Sequence, residues 1–225
     1  MDELFLSFVG LVVISLAAAI LKYLDGQTRT IGLLGLACWM IYTGALGYFG
    51  VLATSTNGPP GTVFTLIPVV LFVALFLTRS QKAAQVAISM PIGLLLGAQT
   101  FRIGVEQFLY QLADEGLAPK MLTYEGANFD ILIGLSAPFV AWAFVKGRLS
   151  HRWVLIWNFL GIFMLANIVA RAIMTAPGPL NILTAEVQNQ AIGLFPYTFI
   201  PGLMAPLALT LHVLTIRALR NQVGN

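Results

Sequence analysis

Residues 153–174 read WVLIWNFLGIFMLANIVARAIM, an apolar run whose single charge is Arg171. At 1.5 Å per residue, such a run makes a helix of roughly 33 Å, enough to cross the hydrocarbon core of a bilayer. Lys146, Arg148 and Arg152 crowd its start, and Pro177-Gly178-Pro179 makes the chain irregular beyond its end.

The rest of the chain resembles this run. It holds 12 Lys and Arg and 9 Asp and Glu in 225 residues, so 9% of the residues are charged, against about 25% in a soluble domain. Apolar residues make up 58%, and the mean hydropathy is +0.87. That is too little charge to coat a water-facing surface. A soluble enzyme, a disordered linker and a nucleic-acid binder are excluded, the last because the basic residues are dispersed rather than gathered on one face. The lone Cys38 makes neither an internal disulfide nor a thiolate metal site. His151 and His212 are too few for a three-His zinc centre, and no cofactor is expected.

Seven segments qualify as membrane spans: residues 4–24, 30–53, 62–78, 84–112, 129–145, 153–174 and 196–216. Asp25-Gly26 ends the first, and Asn57-Gly58-Pro59-Pro60-Gly61 separates the second from the third. The acidic start Asp2-Glu3 argues for a retained first helix, since a signal peptide begins with positive charge. With the N-terminus outside, Lys22, Arg29, Arg79, Lys82, Lys146, Arg148, Arg152, Arg217 and Arg220 fall inside, and only Lys120 falls in an outer loop. That asymmetry sets orientation and requires an odd number of crossings. Trp142, Trp153 and Trp157 lie towards the inner interface; Tyr48, Tyr110, Tyr124 and Tyr197 lie towards the outer one. The expectation is an all-α, polytopic integral membrane protein. It forms a single bundle of seven transmembrane helices, N-terminus outside and C-terminus inside. Short loops and the absence of an Asn-x-Ser/Thr sequon point to a prokaryotic inner (plasma) membrane. No Lys lies inside the seventh segment, which excludes a retinal Schiff base there.

Arg102, Glu106 and Arg171 are charged within the spans, where a lone Arg costs about 2.5–3.5 kcal/mol. Gln99, Arg102, Glu106, Tyr110 and Asp114 recur at helical spacing and share a face. One reading has Arg102 and Glu106 neutralising each other along the helix; the other makes the stripe the wall of a polar cavity opening outward. Arg171, with Asn167 one turn below it, either snorkels to the outer headgroups or joins that cavity. Asn128 and Asp130 begin the fifth span, where an N-cap and an acid in the first turn complement the helix dipole. With Tyr124 they also place polar groups at the outer mouth. The candidate ligand-binding set is therefore Arg102, Glu106, Arg171, Asp130, Asn128, Tyr124, Gln99 and Asn167. His212, placed near the inner end of the last span, and Asn158 read as interhelical packing partners.

Gly93, Gly97 and Gly104 form one small-residue strip, and Gly134, Ala137 and Ala141 another. Residues 175–195 alternate apolar and polar groups and predict a short interfacial helix. The leading functional expectation is a small-solute or lipid-headgroup binding protein or transporter, whose arginines meet an anionic small molecule or headgroup. The alternatives are an accessory subunit docking a membrane-protein partner or a second copy of itself, and an enzyme at the outer interface with Glu106 or Asp130 as base. The missing nucleophile–base motif, metal set and phosphate loop argue against the enzyme.

Overall fold

The computed structural model describes residues 1–53, 61 and 63–223. The proposed turn at Asn57–Pro60 and the first residue of the third segment, Thr62, lie outside the described residues. Every regular element among the described residues is helical. Helices α1 (Asp2–Tyr23) and α2 (Gly26–Tyr48) are joined at Asp25-Gly26, where Gly26 takes φ +49°, a left-handed value that suits glycine. Helix α3 (Val63–Leu71) runs on as π turns through Phe72–Leu77. After α4 (Gln81–Ser89) come α5 (Ile92–Ala98), a 3-10 turn (Gln99–Phe101) and α6 (Arg102–Asp114). Then follow α7 (Asp130–Val145), α8 (His151–Thr175), π turns at Ile200–Met204 and α9 (Ala205–Val223).

Among the described residues, four helical segments are long and apolar enough to cross a membrane: Asp2–Tyr23, Gly26–Tyr48, His151–Thr175 and Ile200–Asn221. A fifth crossing is added if Val63–Leu77 and Gln81–Ser89, bent by 86° at their break, are one span.

The expected span 84–112 is corrected: it is two elements. Pro91 has no N–H and pushes Met90 out of the α region, to ψ 133°, so the helix stops at Ser89. Ser80, whose hydroxyl accepts from the Lys82 N–H, caps α4 at its other end. The apolar window had run through this short helix because Ala83, Ala84 and Ala87 raise its hydropathy. Ala83 and Ala87 are buried against Leu214, Ala218 and Leu219 of α9, while Lys82 and Gln85 are not buried in this contact. From Ile92 the backbone stays right-handed helical through the 3-10 turn to Asp114.

The two small-residue strips meet each other. A Cβ on Gly97 would touch Ala141, one on Gly93 would overlap Val145, and one on Gly134 would press on Ile103 and the Arg102 side chain. Glycine and alanine thus let α5–α6 and α7 approach closely, antiparallel and in one register. Gly104 instead faces α1, against the ring of Phe8.

Helix α2 repairs bonds that prolines remove. Pro68 cannot donate to the Phe64 carbonyl, and the Tyr42 hydroxyl donates to it at 2.8 Å. Pro206 cannot donate to Gly202, and the Trp39 indole N–H donates to that carbonyl at 2.5 Å. In a bilayer such freed carbonyls have no water to turn to.

Residues 176–195 carry turns and one 3-10 turn (Ala191–Gly193) in place of the expected interfacial helix. The segment folds back on the end of α8. The Ile182 and Leu183 N–H groups donate to Met174, and the Asn189 N–H donates to Thr175. These bonds satisfy carbonyls that the helix end leaves open, an alternative to continuing as a helix.

Candidate functional site

Two apolar clusters build the core. One gathers Phe5, Val9, Val105, Phe108, Leu112, Tyr197 and Met204; the other gathers Leu95, Leu96, Val154, Leu211, Leu214 and Leu219. A buried polar network lies among them, supplied by α6, α7, α8 and α9.

Arg102 is 2% exposed. Its Nε donates to Asp130 Oδ2 at 3.0 Å, its Nη2 touches the same oxygen, and its Nη1 donates to His212 Nε2 at 3.0 Å. Arginine can only donate, so His212 accepts at Nε2 and carries its proton on Nδ1 as a neutral ring. That Nδ1–H donates to Asn158 Oδ1 at 2.8 Å, and the Asn158 amide donates to Val154 O one turn earlier. Gly161 makes room for the ring: a Cβ there would lie 2.4 Å from His212 Cε1 and Nε2.

The other arm starts at Glu106. Both its carboxylate oxygens accept from Asn128 Nδ2, at 2.8 and 2.7 Å, and the same nitrogen lies 3.0 Å from Leu122 O. Asn128 Oδ1 accepts the Asp130 N–H at 3.0 Å, an Asx turn that starts one residue before the N-cap position of α7, Phe129, whose side chain makes no capping bond. The reading that pairs Arg102 with Glu106 along one helix is corrected. Arg102 reaches across to Asp130, and Glu106 is held by an amide from the loop before α7. Both links tie helices together, which an i,i+4 pair would not do.

Of the other candidates, Gln99 is buried one turn from Arg102 and donates to Ala208 O of α9 at 3.1 Å. Asn167 donates to Ala127 O at 2.9 Å and accepts from Arg171 Nε at 3.0 Å, so this pair attaches to the loop next to Asn128 without entering the network. Tyr124 stands apart, stacked on Tyr110 with ring centroids 5.2 Å apart. His212 and Asn158, read from sequence as packing residues, are members of the network. The signal available was a neutral His and an Asn inside apolar helices, where a polar side chain must find a partner.

A cavity of about 340 Å³ opens beside the network. Aliphatic side chains of α3, α8 and α9, among them Val69, Ile168, Ala172 and Leu209, form most of its wall; Thr65, Arg102, Glu106, Asp130 and Asn189 supply its polar part. Asp130 offers Oδ2 to the arginine, while its Oδ1 is buried with no hydrogen-bond partner among the described residues. Asn189, 3% exposed, donates Nδ2 to Ala172 O at 3.0 Å and leaves its own Oδ1 likewise unpartnered. Among the described residues no cluster of His, Cys, Asp and Glu is arranged to hold a metal ion.

These features define an all-α protein with several helices suited to a membrane, a buried ionic network and an apolar cavity beside it. A family model described as a domain of unknown function (DUF8737) matches residues 60–220, and the chain belongs to that family. No curated protein and no solved structure matches it. The matched region begins before α3 and contains the network and nearly all of the cavity wall.

Proposed function

We propose that the protein is a seven-crossing membrane protein of a prokaryotic inner membrane that binds, and as a transporter moves, a small amphipathic molecule or lipid held in the cavity between α3, α6, α8 and α9. The crossings are α1, α2, α3 with its π turns, α5–α6, α7, α8 and α9 with its π turns, the N-terminus outside. Helix α4 lies along the inner surface, its alanines on the bundle and Lys82 outward. The nine-to-one division of Lys and Arg between the two sides supports this orientation. Cysteines placed singly at exposed Glu125 and Lys146, in a Cys38→Ala background, test it with a membrane-impermeant maleimide. Glu125→Cys labels in spheroplasts and Lys146→Cys labels only after lysis; the reverse pattern refutes the orientation.

The observation that carries the binding reading is the cavity itself. It falls within the size of small-molecule sites, about 300–1,000 Å³, and has their composition of an apolar wall with a few convergent polar groups. Two π segments and several prolines line or flank it, and π turns recur at functional sites. Native mass spectrometry of the purified protein tests the reading. A retained molecule is expected on the native protein and not on Ala172→Trp, which fills the cavity. No adduct on the native protein, with no stabilisation of it by any added lipophile, refutes the reading.

A further inference from the structure

We infer that the cavity takes a lipophile whose polar end donates hydrogen bonds, an alkyl alcohol or alkylammonium, in preference to an anion; this rests on the cavity being a binding site. Among the described residues Arg102 is the one cation lining the cavity; its Nε and Nη1 bond to Asp130 and His212, and its Nη2, which makes no hydrogen bond of its own among the described residues, is ion-paired with the same Asp130 oxygen. An incoming anion would have to displace Asp130 and leave that carboxylate buried beside it, a costly exchange. Apart from that ion-paired nitrogen, the groups left over at the cavity wall are of the opposite kind. Asp130 Oδ1 and Asn189 Oδ1 are both acceptors, both buried and both without a partner among the described residues. The Asn189 amide cannot turn over to present its NH₂ instead, because Nδ2 is spent on the Ala172 carbonyl and an oxygen there would face an oxygen. Glu106 adds a second carboxyl to the same wall, its oxygens receiving the Asn128 amide. Two carboxyls and an amide oxygen against one engaged arginine make the polar end a place for N–H or O–H donors. The aliphatic wall accepts the chain that follows.

The two sources of such a molecule are a membrane lipid bearing a free hydroxyl or amine and a lipophilic amine or alcohol taken from solution. The full-length protein in nanodiscs is titrated with decanol, decylamine, methyl decanoate and decanoate, and binding is read as a concentration-dependent rise in melting temperature. Decanol and decylamine are expected to bind about three- to tenfold more tightly than methyl decanoate, which matches them in length and offers no donor. Decanoate is expected to be the weakest. Asn189→Leu, which removes one acceptor, brings decanol to within about twofold of the ester. Decanoate or the ester binding as tightly as decanol overturns the inference and leaves the cavity reading standing. Binding by none of the four overturns both. The comparison of probes on the unmodified protein holds whether or not the variant folds. Nanodiscs made with and without a lipid bearing a free hydroxyl or amine separate the sources: a lipid occupant competes with decanol, and a soluble one leaves the titration unchanged.

Discussion

Gly161→Ala adds one methyl group, and the structure sets its cost through a single neighbour. The new Cβ would stand 2.4 Å from His212 Cε1 and Nε2, where carbon contacts rest at about 3.5–4.0 Å. The ring must therefore retreat by about 1 Å or more, yet Arg102 holds it at 3.0 Å on one side and Asn158 at 2.8 Å on the other. Overpacking costs about 1–3 kcal/mol, and losing the bond from a charged donor adds about 1.5–3 kcal/mol. A loss of about 3–5 kcal/mol is expected for the single variant. In a His212→Ala background the obstruction is gone, and the same change becomes an ordinary helical Gly→Ala, stabilising by about 0.5–1 kcal/mol. Sodium dodecyl sulfate unfolding from mixed micelles, followed by tryptophan fluorescence, measures all four corners of the cycle. Gly10, where an added Cβ would meet nothing within 4 Å, is the control position for Gly→Ala in this chain. An equal cost for Gly161→Ala with and without His212 refutes the placement of the ring, and with it the link from Arg102 to α8.

Arg102→Met strands Asp130 in the interior and should cost about 3–5 kcal/mol, whereas the double variant with Asp130→Leu should recover most of that loss in the same unfolding assay. Trp39→Phe leaves the Gly202 carbonyl without its donor, at a cost of about 1–3 kcal/mol that shrinks when Pro206→Ala returns an N–H to that turn. Glu186 accepts the Lys120 N–H at 2.6 Å, and this bond holds its carboxyl below the ordinary range. A depressed value in the folded state means the tether is present above the ordinary carboxylate range and is lost as pH falls through the lowered value. Amide exchange at Lys120, corrected for its intrinsic rate, should show protection at neutral pH that disappears in acid, and Glu186→Ala should abolish both the protection and its pH dependence.

The stripe Gln99–Arg102–Glu106 was legible because spacing along one helix is a local property, and its three members do share a buried face. Tyr110 and Asp114, which continue it, diverge: the first is half-buried against Tyr124 and the second is exposed. The two small-residue strips were visible for the same local reason, but that they pack on each other is a matter of register between α5–α6 and α7. His212 and Asn158 escaped because their partners come from other helices, and a residue count along α9 carries no information about which side chain of α6 stands opposite. The break at Met90-Pro91 was obscured by averaging: a hydropathy window does not register that one missing N–H and one extended residue end a helix. Residues 175–195 misled in the opposite sense. Their alternation suits a helix, yet the open carbonyls at the end of α8 offer the chain a better use for its N–H groups.

The register also explains why α7 is only 16 residues long. Gly93 lies against Val145 and Gly97 against Ala141, so the two ends of the pair are aligned on the side where α5 begins. Ascending from there, α7 is exhausted by the level of Glu106, whose carboxylate meets Asn128 two residues before α7 starts. Helix α6 continues to Asp114, roughly 12 Å further. Residues 115–129 occupy that height as a loop in which Ala118, Leu122, Thr123 and Asn128 are buried while Lys120 and Glu125 are exposed. The buried part of the loop brings the N-terminal end of α7, with its partial positive charge, into the interior. Asp130 in the first turn of α7 and Glu106 beside it are the acids that this end stabilises. The shortness of α7 and the burial of two carboxyls are thus one feature. Lengthening the helix to the height of α6 would remove the loop, its Asn128 donors and the polar part of the cavity together.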